Sequence, residues 1–416
     1  MAKNSKVVFK TYSPTQAMLL PPSLDELISA AHPVRVVNEV IESLNLELLE
    51  KDYKGGGTSS YHPRMLLKVL VYGYVSNTYS SRKLETAVKE HIPFMWLAGM
   101  QQPDHNTIIT FRGKRLKDAL KNIFTQVVEL LVEEGVLSIK DINVDGTKIE
   151  ADANRYTFVW GNAIKTSKEK MKKQLEELWQ YTQKVAAAES DEPTAPDFTT
   201  ISKEKVVETI EKIDKALKVN EAVSKQVKQK LNYAKNKWPA ALDKYEEQEK
   251  ILDGRNSYSK TDKDATFMRM KDDHMKNGQL KAAYNVQIST ADQYIVDYSI
   301  HPNPTDTTTF IKHIEQHKAA YHQYPESITA DAGYGSQENL QYVEDHTIEG
   351  YINYQGFDKQ QSEKHPKKNP FAANYLHYNK EKDCFYFPMG QAMNCTGTYK
   401  RQTSTGFEQT IRQYQA

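Results

Sequence analysis

Between residues 33 and 134 apolar side chains recur every three or four positions, and from Asp141 onward they alternate. The first pattern suits helices, whose side chains return to one face at about 3.6 residues, and the second suits strands, which repeat at two. The chain thus divides into a helical amino-terminal region, 1–136, and a sheet-based remainder. In the helical part Pro33 opens a run bearing Val36, Val37, Val40, Ile41 and Leu44, and Gly55, Gly56 and Gly57 break it. Pro63 starts a second helix with Leu66, Leu67, Leu70, Val71 and Tyr74. A third carries Arg82, Leu84, Ala87 and Val88. The spacing of Ile108, Phe111, Leu116, Leu120, Phe124, Val127 and Leu131 predicts one long helix over 107–134, stopped by Gly135.

In the strand of residues 141–150 (DINVDGTKIE), Ile142 and Val144 face one way and Asn143, Asp145 and Thr147 the other. Residues 165–252 are rich in Lys, Glu, Gln and Ala with sparse apolar positions, and Pro193 and Pro196 interrupt them. They read as two long charged helices forming a hairpin inserted after the first strand, a solvated arm without chemistry. Strands return at 283–290 and 294–300, joined by a tight turn, and Asp306 is placed to cap a helix running through His313 and Ala319. A short strand at 327–331, a helix at 336–345 and a strand at 349–354 follow. Without the insertion this is the ribonuclease H order, three antiparallel strands and then parallel additions with helices. Residues 355–416 are Lys-rich and Tyr-rich with short alternating runs at 384–387 and 397–399, a second, β-rich insertion followed by no long helix. The expected fold class is α/β: helical domain 1–136, mixed sheet 137–163 and 256–354, helical insertion 164–255 and β-rich segment 355–416.

Composition narrows the functional classes. With 416 residues and 39% apolar content the chain can bury two or three cores. No run approaches the ~18 apolar residues of a membrane span, and the first ten residues lack a signal-peptide core, so a cytoplasmic protein is expected. Two cysteines suit a reducing compartment rather than a disulfide scaffold. A net charge of +1 identifies no partner, so any nucleic-acid argument rests on local patches.

Two acids stand out. Asp145 lies within an apolar strand, and Asp145-Gly146 can be either a metal-ligand position or a hairpin turn. Asp331 ends a short buried strand before a glycine-containing turn, where α/β sheets place ligands, although an Asp there also caps turns. The strands of the two acids are neighbours in the ribonuclease H order. Carboxylates around one small cleft can hold two Mg²⁺ ions about 3.5–4 Å apart for phosphodiester chemistry, which needs no protein nucleophile. Other constellations are poorer. His365, His377, Cys384 and Cys395 have zinc-binding side chains at spacings that match no zinc motif, and the loop from Gly55 to Ser59 lacks the Lys of a phosphate-binding loop. Arg112, Lys114, Arg115 and Lys117 form a basic turn able to grip DNA phosphates, with Arg64, Lys68, Arg82 and Lys83 as further candidates; a solvated helix face accounts for them equally well.

Six segments carry a resemblance: 62–74 (HPRMLLKVLVYGY), 103–112 (PDHNTIITFR), 144–156 (VDGTKIEADANRY), 284–287 (YNVQ), 329–335 (TADAGYG) and 383–390 (DCFYFPMG). Together they span nearly the whole chain, which resembles bacterial insertion-sequence transposases of the DDE class, in particular the family numbered eleven eighty-two, with an InsH-type amino-terminal domain. The resemblance implies that Asp145 and Asp331 are the first two acids of a catalytic triad using Mg²⁺, or Mn²⁺ in its place. It implies double-stranded DNA partners, the terminal inverted repeats and the target, and a homo-oligomer that joins two ends. The family's third acid is a Glu on a late helix. Glu338, Glu344, Glu381, Asp383 and Glu408 do not match its context, so no third acid is assigned in this chain and it is expected to stop short of that helix. Two outcomes follow: a strand-cleaving and strand-transferring enzyme, or an inactive form that binds element ends or intact subunits as an inhibitor or remnant.

Overall fold

The computed structural model describes residues 14, 20, 22–51, 53, 60–186, 201–218, 223–270, 278–354, 356, 371 and 376–416. The whole loop from Gly55 to Ser59 lies outside them, as does His365. The chain forms two compact units, Met1–Val136 and Leu137–Ala416.

The first unit is helical: α1 (Pro33–Ser43), α2 (Glu47–Glu50), α3 (Pro63–Val75), α4 (Ser81–Glu90), α5 (Ile92–Leu97), α6 (His105–Thr110) and α7 (Leu116–Glu133). Two of its helices, α1 and α3, start by a shared device. His32 precedes Pro33 and His62 precedes Pro63, and in each pair the ring Nδ1 accepts the backbone N–H two residues on, at 3.2 Å, while Pro occupies the position that needs no donor. Asp104 caps α6 by accepting Thr107 N–H at 2.7 Å. Val34, Ile41, Leu67, Val69, Leu84, Ile108 and Phe111 fill the core. Gly73 lets α3 meet the following loop and helix, since a Cβ there would lie 2.7 Å from Leu84 Cδ2 and 2.9 Å from Thr78 O. The single long helix expected over 107–134 is instead interrupted by a π-helical turn, Phe111–Arg115, which carries Arg112, Lys114 and Arg115. Gly135, at φ +69°, ends α7 as anticipated.

The second unit is built on a mixed sheet. Its strands are β1 (Asp141–Glu150), the short β2 (Phe158–Trp160), and then, beyond helices α8 (Gly161–Ala186), α9 (Lys203–Lys218) and α10 (Lys225–Leu252), β3 (Ser257–Ser259), β4 (Thr266–Arg269), β5 (Leu280–Ala291) and β6 (Tyr294–His301). Helix α11 (Phe310–Tyr321), β7 (Ser327–Ala330), α12 (Gln337–Asp345) and β8 (Glu349–Ile352) follow. The sheet runs β4-β5-β1-β7-β8, with β6 also on β5. β1 is antiparallel to β5 and parallel to β7, and β7 is parallel to β8. This mixed order, with β1, β5 and β6 antiparallel, β7 and β8 added in parallel, and β4 as a further antiparallel strand that the sequence pattern did not indicate, is consistent with a ribonuclease H-like domain. The β5–β6 hairpin turns on Asp292 and Gln293, both at positive φ (49° and 70°), the handedness that matches twisted strands.

The insertion corrects the two-helix reading. Three helices pack around Leu175, Leu178, Trp179, Val206, Ile210, Ile213, Trp238 and Leu242, so the arm has a core of its own. Ser224 caps the third helix through Val227 N–H at 3.3 Å, and Pro239 is carried inside it. β2 and β3 pair at its base, where Gly161 N–H also bonds Asn256 O at 2.9 Å.

The last four strands, β9 (His377–Asn379), β10 (Cys384–Tyr386), β11 (Ala392–Gln402) and β12 (Glu408–Gln415), form a separate antiparallel sheet in the order β12-β11-β10-β9.

Candidate metal centre and basic surface

Asp145 sits in the middle of β1, opposite Ile288 of β5, with Val144 and Gly146 turned inward and its own side chain on the exposed face. The strand continues through Glu150, so Asp145-Gly146 is no hairpin turn. One carboxylate oxygen of Asp145 accepts the Gly146 N–H at 2.7 Å. β1 and β7 pair in parallel from Asp141 with Ser327 to Val144 with Ala330; the next residues on the two strands are Asp145 and Asp331. Neighbouring strands lie about 4.8 Å apart, so the two residues follow one another's ladder ends at about that separation, and both are exposed. Asp331 also caps the 3₁₀ turn Ala332–Tyr334, accepting Gly333 N–H at 2.8 Å. Capping and a place beside Asp145 are therefore compatible.

The inward face beneath these acids is polar. Asn285, Gln287 and Ser289 of β5 are each 0% exposed, while Val286 and Ile288 between them are half-buried on the face of Asp145. Asp306, expected to cap a helix with its side chain, instead turns its carboxylate inward. Its Oδ1 accepts Asn285 Nδ2 at 2.8 Å and Gln287 Nε2 at 3.1 Å, because those buried amides need an acceptor. Tyr284, the first residue of the YNVQ segment, donates its hydroxyl to Asp262 at 2.7 Å, and burial pushes its phenol up. The Asn285-Gln287-Asp306 cluster was missed in the sequence. The available signal was the phase of the strand, where polar residues hold every second position in Asn285, Gln287 and Ser289.

Among the described residues no group of three acidic, His or Cys side chains is arranged to hold a metal ion. Several late acids have other partners: Glu338 accepts Thr405 Oγ1 at 2.6 Å, and Glu408 pairs with Lys400 at 2.6 Å. Asp383 accepts the hydroxyls of Tyr414 (2.6 Å) and Tyr378 (2.7 Å), which with Arg412 hold its carboxyl below the usual range.

The basic candidates fall into two groups. Arg64 donates to the carbonyls of Ile41, Glu42 and Leu44 at the end of α1, and Lys68, 7% exposed, is held by Glu42 and by Asn38 Oδ1 at 2.7 Å. Both cations are thus engaged inside the helical unit, tying α3 to α1. Arg82 and Lys83 are exposed on α4 and line a groove of 540 Å³ with Tyr72, Ser76, Thr78 and His91. In the π turn Arg112 donates to Tyr79 O at 3.0 Å and Arg115 lies 4.2 Å from the Tyr53 ring centre. Lys114 and Lys117 are exposed.

Comparison with known families places these elements. Residues 22–114 match the family model described as "Transposase domain (DUF772)", and residues 255–383 match that described as "Transposase DDE domain". The chain belongs to the DDE-class insertion-sequence transposases. In this transposase the first match covers α1 to α6 and part of the basic π turn, and the second takes in Asp331, Asp306 and the buried amides but begins after Asp145. No curated protein and no solved structure matches the chain. No helix among the described residues is long and apolar enough to cross a membrane.

Proposed function

We propose that this transposase cleaves and joins DNA at the ends of an insertion sequence by divalent-metal chemistry, with Asp145 and Asp331 as metal ligands. The observation that supports the reading is the parallel register of β1 and β7, whose last pair, Val144 with Ala330, immediately precedes Asp145 and Asp331. The donor set fits the group. Mg²⁺ takes oxygen ligands and commonly uses one or two carboxylates together with substrate phosphate, and Mn²⁺ accepts the same donors. Bound there, two such ions would activate the attacking oxygen and stabilise the leaving oxygen of a phosphodiester. The chain's own part is geometric. Gly146 N–H orients one oxygen of Asp145 and Gly333 N–H one oxygen of Asp331, so both carboxylates are aimed before DNA arrives.

The partner is double-stranded DNA, both the terminal repeats and the target. Arg82, Lys83, Lys114 and Lys117 are the exposed cations offered for phosphate contact by the helical unit, with Arg112 and Arg115 beside them. Joining two ends calls for at least a dimer, by analogy with the class.

The test is cleavage of a DNA fragment bearing the element's end. Asp145→Asn and Asp331→Asn should each lower Mg²⁺-dependent cleavage by at least ~10³-fold while end binding stays within about threefold of the parent. Undiminished cleavage by either variant removes that residue from the centre.

A further inference from the structure

The β1–β7 ladder stops at Val144 and Ala330, one residue before each acid, so the direction of the Asp331 carboxylate depends on the turn that follows. That turn is held at three points. Thr307 Oγ1 donates to Gly333 O at 2.7 Å. Asn339 Nδ2 donates to Tyr334 O at 2.8 Å and to Thr307 O at 3.0 Å. The Tyr334 hydroxyl donates to Gln287 Oε1.

From Tyr334 the donors run one way. With Oε1 taken, Gln287 presents Nε2 to Asn285 Oδ1 at 3.0 Å and to Asp306 Oδ1 at 3.1 Å, and Asn285 Nδ2 reaches the same Asp306 oxygen at 2.8 Å. The chain of bonds therefore ends on a carboxylate, which accepts without needing to donate.

The same cluster presses on the strand of the other acid. At Gly146, next to Asp145, a Cβ would lie 2.6 Å from Gln287 Nε2, 2.7 Å from Asp306 Oδ1 and 3.0 Å from Tyr334 Oη. Only glycine allows this approach. Filling the core alone would be served as well by apolar side chains of similar volume, without the penalty of an unmatched buried polar group.

We infer that Gln287, Asp306 and Tyr334 are positioning residues, a buried polar brace that fixes the Asp331 turn against β1 and so sets the spacing of the two metal-binding carboxylates. This rests on the reading of Asp145 and Asp331 as ligands. Partners that orient metal ligands typically account for about 10–100-fold in metal affinity.

Tyr334→Phe removes one hydroxyl and keeps the ring beside Phe310, whose centre lies 5.6 Å away. Thr307→Val loosens the same turn from its outer side, without entering the buried cluster. Each variant is compared with the parent chain by Mn²⁺ binding, by amide hydrogen exchange at Gly333 and Tyr334 without metal, and by circular dichroism. Folded variants with Mn²⁺ affinity lowered ~10-fold and turn exchange ~10-fold faster are expected. Mn²⁺ affinity within about twofold of the parent in both variants overturns the inference, whatever the exchange rates do. Asp145→Asn is measured alongside. If it too keeps full affinity, the metal-centre reading itself fails; if it loses affinity while the brace variants do not, only the brace fails.

Discussion

Glu85 shows at residue scale how the helical unit fixes α4, the helix bearing Arg82 and Lys83. Its carboxylate accepts Lys89 Nζ at 2.8 Å and His105 Nδ1 at 2.7 Å, joining α4 to the start of α6. The Lys89 bond, and then the bonds from His105, bring its carboxyl down to about 2 from an ordinary 4.5. Because the folded value lies below the unfolded one, the contact stabilises fully above about pH 4.5 and is lost as pH falls toward 2. A side-chain NMR titration of Glu85 should give a midpoint near 2, whereas a midpoint near 4.5 would show that Lys89 and His105 do not hold it. Legibility at this scale depends on which way a side chain turns. Asp145 could be read because alternation put it on the face opposite Val144. Asp306 could not, because an Asp before Thr307 and Thr308 looks like a helix cap, and only the fold shows that two buried amides claim its carboxylate.

At the scale of elements, patterns were readable and interruptions were not. The starts of α1 and α3 at Pro33 and Pro63, the Gly135 stop and the β5–β6 hairpin follow from local chemistry. The π turn breaks the hydrogen-bond pattern without breaking the apolar spacing that runs through Phe111 and Leu116, so periodicity alone does not report it. The third helix of the insertion was hidden because its apolar positions are sparse and each helix completes its stripe only against the other two. For α4, the exposed pair Arg82 and Lys83 makes the claim of phosphate contact specific. Replacing both with Ala should weaken end binding across DNA sequences and reduce the salt slope by about 0.9 for each contacted phosphate. An unchanged slope would return these cations to the role of a solvated face.

For the whole molecule, the decisive property is a sheet whose two faces differ. Beneath α11 it is lined by Asn285, Gln287, Ser289 and Ser299, with His313 bonded to Ser289 at 2.7 Å and to Ser299 at 2.6 Å. Its other face carries Asn143, Asp145, Thr147, Thr329 and Asp331 in the open. The parallel pairing of β1 with β7, which brings together chain segments nearly two hundred residues apart, was legible from the sequence of elements, whereas the edge strand β4 was not. What also remained hidden was the polar interior that supports the two acids, since hydrophobic patterning assigns apolar residues to the inside. The most direct measurement is a Mn²⁺ binding isotherm of the full chain beside Asp145→Asn and Asp331→Asn, each checked for folding. Paired ligands predict that either substitution weakens binding by ~100-fold or more, exceeding the loss expected from supporting residues. Superimposable isotherms for all three proteins would contradict a metal centre on these two acids.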